Sequence, residues 1–376
     1  MPSPSPNLAT DTDNVANLFR WLADSEFRGY SPLYEHLARQ IADELWICEL
    51  ITSHSRSPYA AVLFLDCVRL ITLENPDLPL SHHYAAIVNG QNPLDPDPWP
   101  IFFAFVKERR DQLGTLLESH AIQTNEVGRS AALLPAFELV QREFGRPLGL
   151  IEIGCSAGLN LFLDRFRIDY GDAGSAGPTD SEVRLTCDVR GHLRPPIPDE
   201  PLAIASRLGI DIDPIDVTDP TATQWLEACI WIDRPERLSR LRSAIDLARR
   251  EPPEVLRGNA VELIADAIAA IPDDVVACID STWVLAYLSA DERSTLHAML
   301  DEFGSRRSLA MVTAEYPGNV PWLPESIPPE PIVGHKAPTE LGLGLWDHGR
   351  TEHRGLAWMQ PHGQWLYWVD KSSASA

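Results

Sequence analysis

The sequence predicts an α/β fold: a mostly parallel sheet ending in a C-terminal antiparallel hairpin, with a helical domain before it. Three observations carry this expectation. Residues 14–145 space their apolar side chains as helices do and contain no convincing alternating strand. From Leu148 onward, short apolar runs alternate with helical patterns, the rhythm of a parallel sheet covered by helices. The chain then closes with two short apolar runs, 356–360 and 364–369, separated by the turn Pro361-His362-Gly363.

In the first part, Val15, Leu18, Phe19 and Leu22 form the stripe of a helix over 14–28. Ser31-Pro32 starts a second helix, with Ser as cap and Pro at the first helical position, and its stripe runs from Leu33 to Ile51. Residues 59–73 are apolar nearly all round and predict a buried helix, and 98–117 and 126–144 predict two more. Residues 1–13, rich in Pro, Ser and Asp, read as a disordered tail rather than a signal peptide. The second domain is expected over 146–376, with an insertion near 167–205. Its strands are predicted at 148–153, 275–279 and 309–314, with weaker ones at 167–170, 183–187 and 208–212. Helices are predicted at 159–166, 221–231, 235–249, 261–270 and 290–303.

Composition narrows the function. The 376 residues are 44% hydrophobic and 23% charged, as in ordinary globular proteins, and no apolar run reaches bilayer-spanning length. With 31 basic against 54 acidic residues the formal charge is −23, which argues against nucleic acid as a partner; a small-molecule substrate is expected. The six cysteines contain no C-x-x-C pair and read as buried, reduced thiols of a cytoplasmic protein. Prolines cluster at 93–100, 195–201, 214–220 and 317–338, marking long loops.

The chemistry is read first from Glu152-Ile153-Gly154-Cys155-Ser156-Ala157-Gly158. An apolar strand ends in an acid, and a bend of small residues leads into a helical pattern. Such a bend lets backbone approach a ligand, and the new helix offers unpaired N–H groups. A dinucleotide fingerprint would need Gly where Ser156 stands. Serine there tolerates a cofactor without a pyrophosphate, so S-adenosylmethionine is the expected ligand. Glu152 would meet its ammonium, while Gly154, Ser156 and Gly158 line the bend. The same letters spell Gly-x-Ser-x-Gly, a nucleophile elbow, which would make the chain a serine hydrolase with Ser156 as nucleophile and Asp280 and His362 as partners. The helical stretch before this strand, the lack of a His-Gly-Gly loop and the charge of Glu152 weigh against that reading.

Gly209-Ile210-Asp211-Ile212-Asp213-Pro214 has the form of a ribose-binding corner, with Asp211 accepting the two hydroxyls and Asp213 or Asp169 as alternatives. Its distance from Gly158 requires an insertion, expected to hold a hairpin of 167–170 and 183–187. Leu256-Arg257-Gly258-Asn259-Ala260 is a candidate adenine loop, although Asn259 could equally cap the next helix. The run ending Ile279-Asp280-Ser281-Thr282-Trp283 places polar and aromatic residues at the carboxyl end of a buried strand, where ligands of open α/β sheets bind. Asp280, Tyr287 and Tyr316 are the candidates for a catalytic base, and Glu315 shares their rim. Of the histidines, His82 and His83 begin a helix-like segment and His335, His348, His353 and His362 fall in or near late loops; no metal site is expected.

On these residues, the chain resembles class I S-adenosylmethionine-dependent methyltransferases over 148–370, which implies a Rossmann-like sheet. It is more closely similar to an uncharacterised bacterial family known as a domain of unknown function. The shared motifs are Thr124-Asn125-Glu126-Val127-Gly128-Arg129, the Glu152 to Leu161 turn and the Gly209 to Pro214 turn. The resemblance implies a cofactor held by Glu152, Gly154, Ser156, Gly158, Asp211, Asn259, Asp280 and Arg129. Asn125, Trp283, Tyr287 and Tyr316 would shape the side of the methyl acceptor. A non-catalytic ligand-binding or scaffold protein that keeps this fold is the alternative, and Ser156 in place of the usual Gly is its support.

Overall fold

The computed structural model describes residues 11–57, 59–324, Pro328 and 339–370. It divides into two compact units, one of residues up to Thr124 with Asp219–Ser239, the other of Asn125–Thr218 with Arg240 onward. The boundary expected near residue 145 therefore shifts. Residues 125–145 belong with the sheet, and a later helix belongs with the first unit.

The helical unit holds α1 (Thr12–Asp24), α2 (Pro32–Asp43), α3 (Leu45–His54), α4 (Ala60–Glu74), α5 (Pro79–Val88), α6 (Trp99–Glu108) and α7 (Arg110–Ser119). The last of the residues expected as a tail are ordered, because the Asp11 side chain accepts from Asn14 N at 2.8 Å and starts α1 at Thr12. Residues 1–10 lie outside the described residues. Ser31 and Pro32 begin α2 as expected. Two predicted helices are each broken once. Glu44 leaves helical geometry between α2 and α3, and Arg109 does so between α6 and α7. In both cases the apolar stripe continues across the break, which is why periodicity alone joined them. Helix α8 (Ser130–Phe144) belongs to the sheet unit, and α9 (Pro220–Ala228) packs with α4 in the helical unit.

The sheet unit is built on β1 (Leu148–Ile153), and small strands follow it: β2 (Arg167–Asp169), β3 (Ser175–Ala176), β4 (Arg184–Thr186) and β5 (Asp188–Arg190). The segment expected as helix 159–166 is a 3-10 turn, Leu159–Arg165, interrupted at Phe162. The expected hairpin of the insertion is a three-stranded sheet in the order β3-β2-β4, in which β2 and β4 run parallel rather than antiparallel. The chain continues through β6 (Ile204–Asp211), α10 (Pro235–Arg250), β7 (Glu254–Arg257), α11 (Ala260–Ala270), β8 (Val276–Thr282), α12 (Ala290–Gly304) and β9 (Leu309–Glu315). It ends with β10 (Thr339–Asp347), β11 (Arg350–Met359) and β12 (Trp365–Trp368).

These strands form one nine-stranded sheet in the order β5-β12-β11-β10-β9-β8-β1-β6-β7. Strands β7, β6, β1, β8 and β9 are mutually parallel, while β10, β11 and β12 form an antiparallel meander that includes the expected terminal hairpin. From β1 the chain first builds outward through β6 and β7, then returns to add β8 on the other side of β1. The order reverses there, so the carboxyl ends of β1 and β8 mark the switch point of the sheet.

One face of the sheet packs Ile151, Ile153, Ile210, Ile279 and Met311 against Ile264, Ile268, Leu296 and Leu300 of α11 and α12. Each such side chain contributes about 1.5–3 kcal/mol by leaving water. Helix α8 carries Pro135 inside it, which leaves the Ala131 carbonyl without its usual helical donor. The Tyr170 hydroxyl donates to that carbonyl at 2.7 Å, so the insertion repairs the helix.

Candidate functional site

Side chains alternate between faces along a strand, so Ile151 and Ile153 direct Glu152 to the face opposite α11 and α12. Asp280 is the register partner of Glu152 on β8 and shares that face. Both are buried. Glu152 Oε2 has no hydrogen-bond partner among the described residues, and the Thr282 hydroxyl donates to Asp280 at 3.1 Å. Burial raises the pKa of both carboxyls. For Glu152 the charges of Asp280 and Asp211 add to this, while Asn160 and Arg129 oppose it. For Asp280, Thr282 and Arg129 oppose it.

On the other face, Ser281 meets Glu315, the last residue of β9. One oxygen of Glu315 accepts from Val284 N at 2.8 Å and Leu285 N at 2.9 Å, holding the turn after β8, and the other has no partner among the described residues. Burial pushes the Glu315 carboxyl up to about 7 despite those donors and Arg129.

The bend after β1 carries three left-handed residues: Gly154 (φ 65°), Ser156 (φ 54°) and Gly158 (φ 68°). A serine in this region is strained by about 1–2 kcal/mol. The bend is fastened by Asp211, whose two oxygens accept from Ser156 N at 2.7 Å and Asp213 N at 2.9 Å. Ile215 N adds a bond to the Ser156 carbonyl. Ser156 Oγ is buried and has no hydrogen-bond partner among the described residues. Neighbouring side chains fill the space beside the glycines. Val284 covers Gly154, Pro253 meets Gly158, and Cys155 fits where a side chain at Gly209 would be. Trp283, just after β8, is a second strained residue (φ 61°), and its buried Nε1 also lacks a partner among the described residues.

The segment from Asn125 to Ser130 completes the site. Asn125 Oδ1 accepts from Leu159 N at 3.0 Å, and Ser130 Oγ donates to Asn160 Oδ1 at 2.9 Å; the Asn160 amide in turn bonds Glu152. Arg129 Nε donates to the Pro361 carbonyl at 2.9 Å, and its guanidinium stands 5.6 Å from the Trp283 ring. Glu126 accepts from Gly128 N and faces His362 Nδ1 at 3.3 Å. The three sequence motifs and the final turn thus meet at one place, the carboxyl end of β1.

Of the predicted residues, Asn125, Arg129, Glu152, Gly154, Ser156, Gly158, Asp211, Asp280 and Trp283 come together here. Tyr316 joins through an edge contact with Trp283, with centroids 4.2 Å apart. Tyr287 is 60% exposed on the turn after β8. Asn259 caps α11 through Val261 N at 2.8 Å, and Leu256 and Arg257 of the expected adenine loop are strand β7. Asp169 lies in the small sheet, where its side chain accepts from Gly171 N. Asp213 is at the surface, paired with Arg257. Among the described residues the hydrolase constellation does not assemble, because none of their histidines is hydrogen-bonded to Ser156 Oγ. Among the described residues no cluster of three or more His, Cys, Asp or Glu is placed to hold a metal, and no helix is long and apolar enough to cross a membrane. His335 lies outside the described residues.

Sequence reasoning missed the Glu126–His362 pair, the Val284 cover and Ile212, which is 75% exposed directly after Asp211. An apolar residue following the acid of a strand end was the available signal for Ile212.

A family described as "Uncharacterized protein conserved in bacteria (DUF2332)" matches residues 16–368. No curated protein and no solved structure matches the chain.

Proposed function

The chain belongs to that bacterial family, and from its site we propose that it is an S-adenosylmethionine-dependent methyltransferase acting on a small molecule. The observation that carries this reading is the set of buried polar atoms without protein partners around the bend: Glu152 Oε2, Ser156 Oγ and Trp283 Nε1. Buried polar groups are nearly always paired, and strained residues collect at ligand sites. Two acceptors and a donor beside paired acids fit the amino-acid end of this cofactor. The strand order β7-β6-β1-β8-β9 supports a Rossmann-like sheet of the methyltransferase type, with the ligand at the switch point.

In this reading Glu152 and Asp280 bind the ammonium group, and Arg129 balances their charge and meets the carboxylate. Asp211 holds the bend and retains a second lone pair on each oxygen for ribose hydroxyls. Ile212 offers an apolar face to the base. The cofactor supplies an electrophilic methyl group. Trp283, Tyr287 and Tyr316 would position the acceptor, and proximity does most of the work.

A second reading, a ligand-binding protein without turnover, draws support from the bend itself, where Val284 covers Gly154 and backbone N–H groups occupy Asp211. Calorimetry with S-adenosylmethionine tests both. Micromolar binding that weakens at least tenfold in Glu152→Gln supports the cofactor site. Binding without methyl transfer to any component of a metabolite extract selects the second reading, and no binding defeats the methyltransferase reading.

A further inference from the structure

We propose that Glu152 and Asp280 hold one proton between them in the ligand-free protein, and that a bound ammonium group takes its place. The inference rests on the cofactor reading above and adds a proton to it. The two carboxyls are register partners on adjacent parallel strands and point to the same face, one strand spacing apart. Two like charges this close and this buried cannot both ionise cheaply.

The charged and titratable groups around them are few. Arg129 reaches the pair from the 3-10 turn before α8, Asp211 approaches from β6, and the Cys155 thiol lies on the bend. Asn160 and Thr282 supply neutral hydrogen bonds, and Cys278 stands next to Asp280 along β8. Arg129 is the only cation among these, against two carboxyls and the Asp211 charge. Burial raises the pKa of both members of the pair, in the direction that proton sharing requires. Glu152 Oε2 lacks a partner among the described residues, so an incoming ammonium finds a vacant acceptor as well as a charge to neutralise. The displaced proton leaves to solvent as the carboxyl O–H bond breaks, and no other covalent bond changes.

The test is calorimetry at pH 7 in buffers of different ionisation enthalpy, with S-adenosylmethionine, S-adenosylhomocysteine and adenosine as probes. The first two carry the ammonium and adenosine does not. The expected result is release of about one proton with each of the first two and none with adenosine. Below pH 7, affinity for the first two should fall by up to about tenfold per pH unit. Glu152→Gln, or Asp280→Asn should the first variant not fold, should abolish the release. Binding with buffer-independent enthalpy overturns the proposal. If none of the three probes binds, the methyltransferase reading fails by itself. Carbon-13 titration of the side-chain carboxyls in the ligand-free protein then decides the proton: one of the pair protonated at pH 7 upholds the sharing, and both ionised overturns it.

Discussion

Gly128 and Gly363 lie back to back. A side chain on Gly363 would overlap the Gly128 carbonyl oxygen, and one on Gly128 would overlap the carbonyl of His362. This contact, with the Arg129–Pro361 bond beside it, seats the motif loop of residues 125–129 on the turn at 361–363. Arg129 and Glu126 are thereby held at the carboxyl end of β1 by a segment more than two hundred residues away.

Gly128→Ala should therefore be costly, since the neighbour that must give way is backbone rather than a flexible side chain. The expected loss is about 3 kcal/mol in urea unfolding. Gly145→Ala is the comparison. Gly145 is left-handed (φ 59°) at the end of α8 with nothing near its missing Cβ, so it should lose only about 1 kcal/mol, from backbone strain. Equal losses in the two variants would show that the contact does not organise the loop.

Glu315 gives a pH signature. Its folded pKa, near 7, lies above the usual carboxyl value of 4.5. The folded state thus binds the proton more tightly than the unfolded one. The stability this contributes is full below about pH 4 and is lost as pH rises to about 7, in total about 3 kcal/mol. Glu315→Gln keeps an acceptor for Val284 N and Leu285 N and cannot ionise. Relative to the parent protein, its stability should rise between pH 5 and pH 8. Parallel stability–pH curves for the two proteins would place the Glu315 carboxyl in its ordinary range.

The parallel core was legible because β1, β8 and β9 are continuous apolar runs of strand length between turn signals. Strand β7, Glu-Val-Leu-Arg, was not, since three of its four residues are exposed and its polar ends read as loop. Strand β10 was hidden by Gly342 and Gly344, which serve packing: Leu323 occupies the space beside one and Trp346 the space beside the other. In the site, the acids and the bend were visible as types at strand ends. Their partners were not. Asp211 looked like a ribose ligand from its position, and only the fold shows that Ser156 N and Asp213 N already bind it. The Glu126–His362 pair joins residues distant in sequence, which no local pattern encodes.

Ser156 separates stability from binding most directly. Its φ of 54° strains any side chain, and its hydroxyl is buried without a partner among the described residues. Ser156→Gly removes both penalties and adds only the chain entropy of glycine, so the free protein should gain about 1–2 kcal/mol in urea unfolding. If the hydroxyl is kept for the cofactor, the same variant should bind S-adenosylmethionine about tenfold more weakly by calorimetry, the loss of one hydrogen bond. A gain in stability together with weaker binding means that residue 156 gives up fold stability for a ligand contact. A gain in stability with unchanged affinity would remove Ser156 from the binding surface and leave it as a turn residue.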